Sequence, residues 1–88
     1  MTNELFLPLK TKWFDKIKSG EKTTEYREVK PYWQKRFMKK YDAVRFARGY
    51  SGEQMIFKID DVDIINGKQT DLAIDAPVYA IKLGRRTK

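Results

Sequence analysis

A lysine, a glutamate and an arginine stand close together at Lys22, Glu25 and Arg27, just after a glycine that can end a helix. Successive side chains of a β-strand point to opposite faces, so Glu25 and Arg27 would share a face. The side chain of Lys22 would lie on the opposite face of the strand unless the turn at Gly20 changes its direction. A carboxylate beside a guanidinium can orient it and leave its other N–H donors for a ligand. The spacing alone fits equally a surface strand with ordinary ion pairs, which stabilise a fold little.

The residue types that the chain lacks limit this chemistry. Its 88 residues include no cysteine and no histidine. This composition excludes disulfides, thiolate metal sites and cysteine nucleophiles, and it removes the commonest general base. A metal would need oxygen ligands, and the aspartates at 60, 61 and 63 lack the glycine and glutamate of a calcium loop. We therefore predict neither a cofactor nor a metal site.

The positive charge is concentrated in one half of the chain. Residues 10–48 contain 13 Lys and Arg against 5 Asp and Glu, whereas residues 49–88 contain 6 of each. Aromatic residues, among them Trp13, Trp33 and Tyr50, are interleaved with these cations. A positively charged surface with interleaved aromatic rings is typical of proteins that bind a nucleic acid, whose bases can stack on those rings. The simpler alternative is a basic surface with no specific ligand.

The first half of the chain predicts alternating strands and helices. Pro8 places the end of the first strand at a sheet edge. Thr11 is a suitable N-cap for the first helix, and Gly20 fits the left-handed position past its last turn. The expected elements are a strand at residues 4–9, a helix at 11–19, a strand at 22–29 and a short helix from Pro31.

The second half predicts strands and turns. Arg48, Tyr50 and Ser51 occupy a glycine-rich turn that is either a ligand-facing loop or only a hairpin connection. The apolar phase shifts at residues 60–61, which indicates a bulge or bend between two strands. The expected elements are strands at 41–48 and 53–65, a turn at 66–67, an irregular connection at 68–76, a strand at 78–83 and a frayed basic end at 84–88.

This order of elements predicts one α+β domain over residues 1–88. We expect a small mixed β-barrel of five to six strands with one long and one short helix, because closure hides the edges of so small a sheet. Residues 1–4 lack the features of a signal peptide, and no apolar run reaches the length of a membrane span. A cytoplasmic protein without membrane contact is the simplest expectation.

Three stretches of the sequence resemble a known family. The pattern Leu7-Pro8-Leu9-Lys10, then an apolar helix, then Gly20-x-Lys22-x-x-Glu25-x-Arg27, is similar to the ASCH domain of the PUA-like superfamily. Residues 26–33 and the closing pattern at 78–84 resemble its compact bacterial and phage members. The resemblance therefore covers nearly the whole chain.

The resemblance implies a PUA-like barrel with a cleft between the first helix and the motif strand, where the family binds RNA or a nucleoside. It assigns Lys22, Glu25 and Arg27 to that cleft and Gly20 to the turn that shapes it. Lys10, just upstream, is expected to line the same opening. The main hypothesis is therefore a binding module for RNA or a nucleotide.

The same resemblance leaves two enzymatic alternatives open. Some ASCH-like proteins deacetylate N4-acetylcytidine, with a threonine at the position of Glu25 and a further glutamate before the closing strands; here residues 66–76 offer only Asp71 and Asp75. Other members are metal-dependent ribonucleases that use Tyr, Lys and Ser, which Tyr50, Ser51 and Lys22 would imitate. A phage-type protein-interaction module is the third alternative.

The prediction for the site combines the motif with the nearby aromatic and basic residues. Lys22 and Glu25 are the catalytic candidates if the protein is an enzyme, a question that the sequence leaves open. Tyr26, Trp33 and Tyr50 are the candidates for stacking on a base. The predicted ligand-binding residues are Lys10, Lys22, Glu25, Tyr26, Arg27, Trp33, Arg48 and Tyr50.

Overall fold

Five strands form one mixed sheet in the computed structural model, which describes residues 3–88. The strand order is β1-β3-β4-β5-β2, with β1 parallel to β3 and every other pair antiparallel. Residues 1 and 2 of the predicted domain lie outside the described residues. The elements are β1 (Glu4–Leu9), α1 (Thr11–Lys18), β2 (Thr24–Glu28), α2 (Pro31–Arg36), β3 (Ala43–Arg48), β4 (Gln54–Asn66), a 3₁₀ turn (Gly67–Gln69) and β5 (Pro77–Arg86).

The sheet curls into a half-barrel, so the predicted small α+β fold with a mixed sheet and two helices is confirmed, with five of the five to six expected strands. Within residues 3–88 β1 and β2 are not paired, so the edges that closure was expected to hide stay open. In the described residues β1 and β2 are the two ends of the sheet and each has one strand neighbour. One edge of β1 and one edge of β2 are therefore left without a neighbouring strand. The opening between these two edges places the candidate site.

Strand β1 follows strict alternation. Leu5, Leu7 and Leu9 are buried and the residues between them are exposed. The Leu9 carbonyl accepts a hydrogen bond from the Gly49 N–H at 2.9 Å, so the odd-numbered residues pair with β3. Pro8 therefore falls on the outer edge, where its missing N–H costs no ladder bond, as predicted.

Helix α1 packs a narrow apolar side against the sheet through Phe14 and Ile17. The predicted cap was wrong by one position: Lys10 precedes the helix as N-cap, without a side-chain cap bond, and Thr11 is the first helical residue. Gly20 has a φ of +86°, which confirms the left-handed position after the helix. Within residues 3–88, no helix combines the length and apolar character that a bilayer crossing requires.

The core lies between α1 and the concave side of the sheet. It joins side chains from α1 and from four of the five strands, and Trp33 of α2 and Phe37 pack against it as partly buried residues. Its buried members are Leu5, Leu7, Leu9, Phe14, Ile17, Val44, Phe46, Met55 and Ile81.

The far end of the sheet differs from the prediction in two respects. Strand β4 is one 13-residue strand rather than two, although its pairing with β5 does shift register between Phe57 and Asp61, as the apolar phase indicated. The expectation of a frayed end at residues 84–88 was wrong, because β5 continues to Arg86 and the Thr87 N–H donates to the Ile56 carbonyl at 2.8 Å.

Candidate ligand-binding cleft between the two sheet edges

A cleft of about 480 Å³ opens between the edges of β1 and β2. Two helices and the β4–β5 segment, which we define as residues 67–76, complete its walls. Since the edges of β1 and β2 have no strand neighbour here, side chains rather than ladder bonds fill the opening. The lining residues are Pro8, Leu9, Lys10, Trp13, Glu25, Tyr26, Arg27, Glu28, Lys30, Trp33, Asp71, Leu72 and Ile74.

Glu25 and Arg27 form the pair that strand alternation predicts. Oε2 of Glu25 accepts from Nε of Arg27 at 3.1 Å and lies 3.0 Å from Nη2. The Arg27 guanidinium also lies 5.3 Å from the ring centroid of Trp33. A guanidinium carries five N–H donors in a fixed plane, so the pair with Glu25 leaves donors for another acceptor.

Lys22 joins the same cluster because the turn at Gly20 redirects it. The Lys22 N–H donates to the Lys16 carbonyl at 3.0 Å, which holds the turn against the end of α1. Its Nζ then lies 3.5 Å from Oε1 of Glu25 and 4.9 Å from the centroid of the Tyr26 ring. The alternative of a lysine on the opposite face is thereby excluded.

Asp71 is the fourth charged residue of the cluster that contains Lys22, Glu25 and Arg27. The sequence indicated it only as one of two acids in residues 66–76. Its carboxylate pairs with Nζ of Lys22. The β4–β5 segment folds back to bring it there: the Gly67 N–H donates to the Ala76 carbonyl at 2.8 Å, and Thr70 caps the turn through Oγ1. This contact spans 49 positions along the chain, so no local spacing indicates it.

Trp13 is a further residue of the cleft, although its place on the apolar stripe of α1 favours the core. It lies beside Phe14 on the apolar stripe of α1, but only Phe14 is buried. Trp13 instead stands on the cleft wall, with Nζ of Lys22 5.3 Å from its ring centroid. Its position at the side of a narrow stripe was the one signal that the sequence contained.

The floor of the cleft is electrically balanced. Two cations, Lys22 and Arg27, face the two carboxylates of Glu25 and Asp71. Arg27, Glu25 and Asp71 line the cleft itself, whereas Lys22 lines the adjoining opening. Burial raises the pKa of Glu25 above its ordinary value, against the opposing attraction of Arg27 and Lys22. Glu25 is only 6% exposed, so it is held in place by its cationic partners rather than by water.

Of the five remaining predicted residues, three line the cleft and two do not. Lys10, Tyr26 and Trp33 line the cleft. Arg48 does not: its Nε and Nη2 donate to Asp15 at 2.9 and 3.1 Å, which ties the end of β3 to α1. Tyr50 is fully exposed at the tip of the β3–β4 turn and is not brought together with Lys22.

No protein-family model, no curated protein and no solved structure matches this chain. The side chains of the cleft are therefore the basis on which a function is assigned.

Proposed function

We propose that this chain is an RNA- or nucleotide-binding module of the ASCH type, with a PUA-like fold, and that its ligand enters the cleft between β1 and β2. One observation carries the proposal. Arg27 is fixed by the buried Glu25 and lies against Trp33, so its remaining donors and an aromatic face are presented together. Hydrogen-bond donors beside an aromatic platform are the usual means of recognising an unpaired base.

The shape and composition of the cleft support this assignment. Its volume of about 480 Å³ lies in the range of small-molecule sites. Trp13, Tyr26 and Trp33 supply apolar faces, while Glu25 can accept a hydrogen bond from an exocyclic amine and Arg27 can donate to a base oxygen. The G-x-K-x-x-E-x-R pattern, on which the resemblance to the ASCH domain rests, contributes Glu25 and Arg27 to this cleft and Lys22 to the adjoining opening.

A hydrolase in the same cleft is the second candidate, and the position of Asp71 favours it. Lys22 contacts two carboxylates, and Thr24 lines the adjoining opening that also contains Lys22 and Asp71. Such a set would suit hydrolysis of a base amide, in which water and N4-acetylcytidine give acetate and cytidine, or cleavage of RNA. The carboxylates here come from Glu25 and Asp71 rather than from the longer segment of the deacetylases.

Equilibrium binding of nucleotides and of a short labelled RNA tests the proposal. Loss of charge-assisted hydrogen bonds costs about 1.5–3 kcal/mol, so Arg27→Ala should weaken binding roughly 10- to 100-fold. Arg45→Ala is the matched control, because Arg45 is a partly exposed arginine of β3 that pairs with Glu4 away from the cleft. Absence of binding to RNA, DNA and nucleotides at low salt would overturn the proposal.

Turnover assays separate the two candidates. Incubation with N4-acetylcytidine and with labelled RNA should leave both unchanged if the protein only binds them. Turnover that disappears in Lys22→Ala would instead assign the hydrolase.

A further inference from the structure

Cations without a carboxylate partner stand on both sides of the cleft. On the α1 side these are Lys12 and Lys16, and on the α2 side Arg36. Among residues 3–88, no ion pair within 4.0 Å involves any of the three. Their charge is therefore available to a ligand, unlike that of Lys22 and Arg27.

Each of these cations is connected to the cleft through an aromatic ring. Nζ of Lys12 lies 5.0 Å and Nζ of Lys16 5.3 Å from the ring centroid of Trp13, which forms one wall. On the other side, the Arg36 guanidinium lies 4.9 Å from the centroid of Tyr32, whose ring meets that of Trp33 edge-to-face at 4.9 Å. We call these two groups the α1 arm and the α2 arm.

The distribution of charge separates two kinds of contact. The charged residues that line the cleft are three cations, Lys10, Arg27 and Lys30, and three carboxylates, Glu25, Glu28 and Asp71, so the cleft itself has no net charge to attract a phosphate. The arms have positive charge only. An uncharged, hydrogen-bonding group therefore fits the floor, and anionic groups fit the arms on either side.

We propose that the ligand is a single strand of nucleic acid that crosses the cleft, with one base inserted and the flanking phosphates held by the α1 and α2 arms. This inference rests on the proposed function and specifies its ligand class. A free nucleoside or mononucleotide leaves at least one arm without a partner. A duplex keeps its bases stacked and does not present one to the floor of the cleft.

Fluorescence anisotropy with RNA and DNA of matched sequence, from one to nine nucleotides, tests this inference. We expect affinity to rise with length from the mononucleotide until the strand reaches both arms, at roughly four nucleotides or more, and then to level off. For single strands the logarithm of the binding constant falls with the logarithm of salt concentration by about 0.7 per phosphate contact. Lys12→Gln/Lys16→Gln should reduce that slope by about 1.4, and Arg36→Gln by about 0.7.

A matched control removes the same charge elsewhere. Lys39 and Lys40 line a separate groove beside β4, with Tyr41, Asp60 and Ile64 among its other residues, and we call this the β4 groove. Lys39→Gln/Lys40→Gln should leave the slope within about 0.3 of the wild-type value. Gln preserves helix propensity at Lys12 and Lys16, and an unchanged thermal unfolding midpoint shows that these variants fold.

The outcomes distinguish the two proposals. Equal affinity for the mononucleotide and the longer strands, with slopes unchanged in both arm variants, would overturn the strand path, while a loss of binding in Arg27→Ala would still support the cleft. A steep slope that only the β4-groove variant reduces would also overturn it. Absence of binding to every oligomer would overturn the proposed function itself. A difference between RNA and DNA of matched sequence identifies which strand the site accepts.

Discussion

The cleft and the β4 groove are nearly equal in size, at about 480 and 460 Å³, but their charged groups are organised differently. Glu25 of the cleft and Lys22 of the adjoining opening are both 8% exposed at the side chain and form an ion pair. In the β4 groove, Lys40 and Asp61 are exposed, and no ion pair within residues 3–88 connects them. Cavity volume therefore does not distinguish the two regions, whereas fixed and partly buried charge does.

The two regions differ in the free-energy cost of burying their charged groups. Burying a charged group costs free energy that an ion pair only partly offsets, so a buried pair is a poor way to stabilise a fold. Groups of this kind are concentrated where a protein binds or transforms a ligand. The polar side chains of the β4 groove are solvated and entail no such cost. The predictions that follow compare the two regions.

Removing the central carboxylate should have the largest effect. Glu25→Ala leaves Lys22 and Arg27 without a shared partner, and we expect a loss of about 3 kcal/mol in the free energy of unfolding, measured in urea. Asp61→Asn in the β4 groove is the control and should change it by less than about 0.5 kcal/mol. Equal effects of the two substitutions would show that the cleft is not the more ordered region.

Two glycines extend the comparison to the backbone. A Cβ at Gly67 would lie 2.7 Å from Cγ1 of Val78 and 3.0 Å from the Ile74 carbonyl, whereas one at Gly84 would meet the exposed Asp60 side chain. We expect Gly67→Ala to cost about 2 kcal/mol, because packed atoms must move. It should also weaken ligand binding by displacing Asp71.

The glycine in β5 is the matched control. Gly84→Ala should cost less than about 1 kcal/mol, since the Asp60 carboxylate can rotate into water. Its ligand affinity should equal that of the wild type. A larger loss of binding in Gly84→Ala than in Gly67→Ala would contradict the role given to the β4–β5 segment.

The pH dependence of stability should have opposite signs at two carboxylates. Burial raises the pKa of Glu25 above its ordinary value of 4.5, so this carboxyl binds a proton more readily in the folded state than in the unfolded state. The contribution of Glu25 to the free energy of unfolding therefore falls as the pH rises from 4.5 through the pKa of the folded state. A hydrogen bond from Arg48 lowers the pKa of Asp15, so its contribution is lost as pH falls. Urea unfolding of wild type, Glu25→Gln and Asp15→Asn between about pH 3 and 7 measures both slopes. A wild-type advantage over Glu25→Gln that grows with pH would contradict this account.

The smallest effect is expected at the β3–β4 turn. Tyr50 is fully exposed and Arg48 is engaged by Asp15, although both were predicted to contact the ligand. Tyr50→Ala and Arg48→Ala should change affinity less than about twofold, because neither lines the cleft. A tenfold loss in either variant would extend the site to this turn and restore the prediction made from the sequence.

Local signals in the sequence accounted for the order of the elements. Alternating burial in β1, the apolar stripe of α1 and the left-handed Gly20 all depend on residues near one another in the chain. Strand alternation likewise placed Glu25 and Arg27 on one face. The same local signals underestimated β5, because its last residues are held by Ile56 of the bulged β4.

The cleft depended on long-range contacts, and the sequence indicated it only in part. Asp71 reaches Lys22 across 49 positions, and Asp15 engages Arg48 across 33. Neither pairing has a spacing that could be recognised in advance. The sequence therefore did not assign Asp71 to the site, and it did assign Arg48 to the site. Trp13 illustrates a related limit, since helical periodicity does not distinguish the middle of an apolar stripe from its side.

The most direct test of the cleft uses the two tryptophans of the chain, Trp13 and Trp33, which both line it. In a ¹⁵N-labelled sample titrated with a short single-stranded RNA, we expect saturable shifts of both indole N–H signals. Backbone signals of residues 59–64 in the β4 groove should stay unchanged. Shifts confined to residues 59–64, with both indole signals unmoved, would contradict the assignment of the cleft as the ligand site.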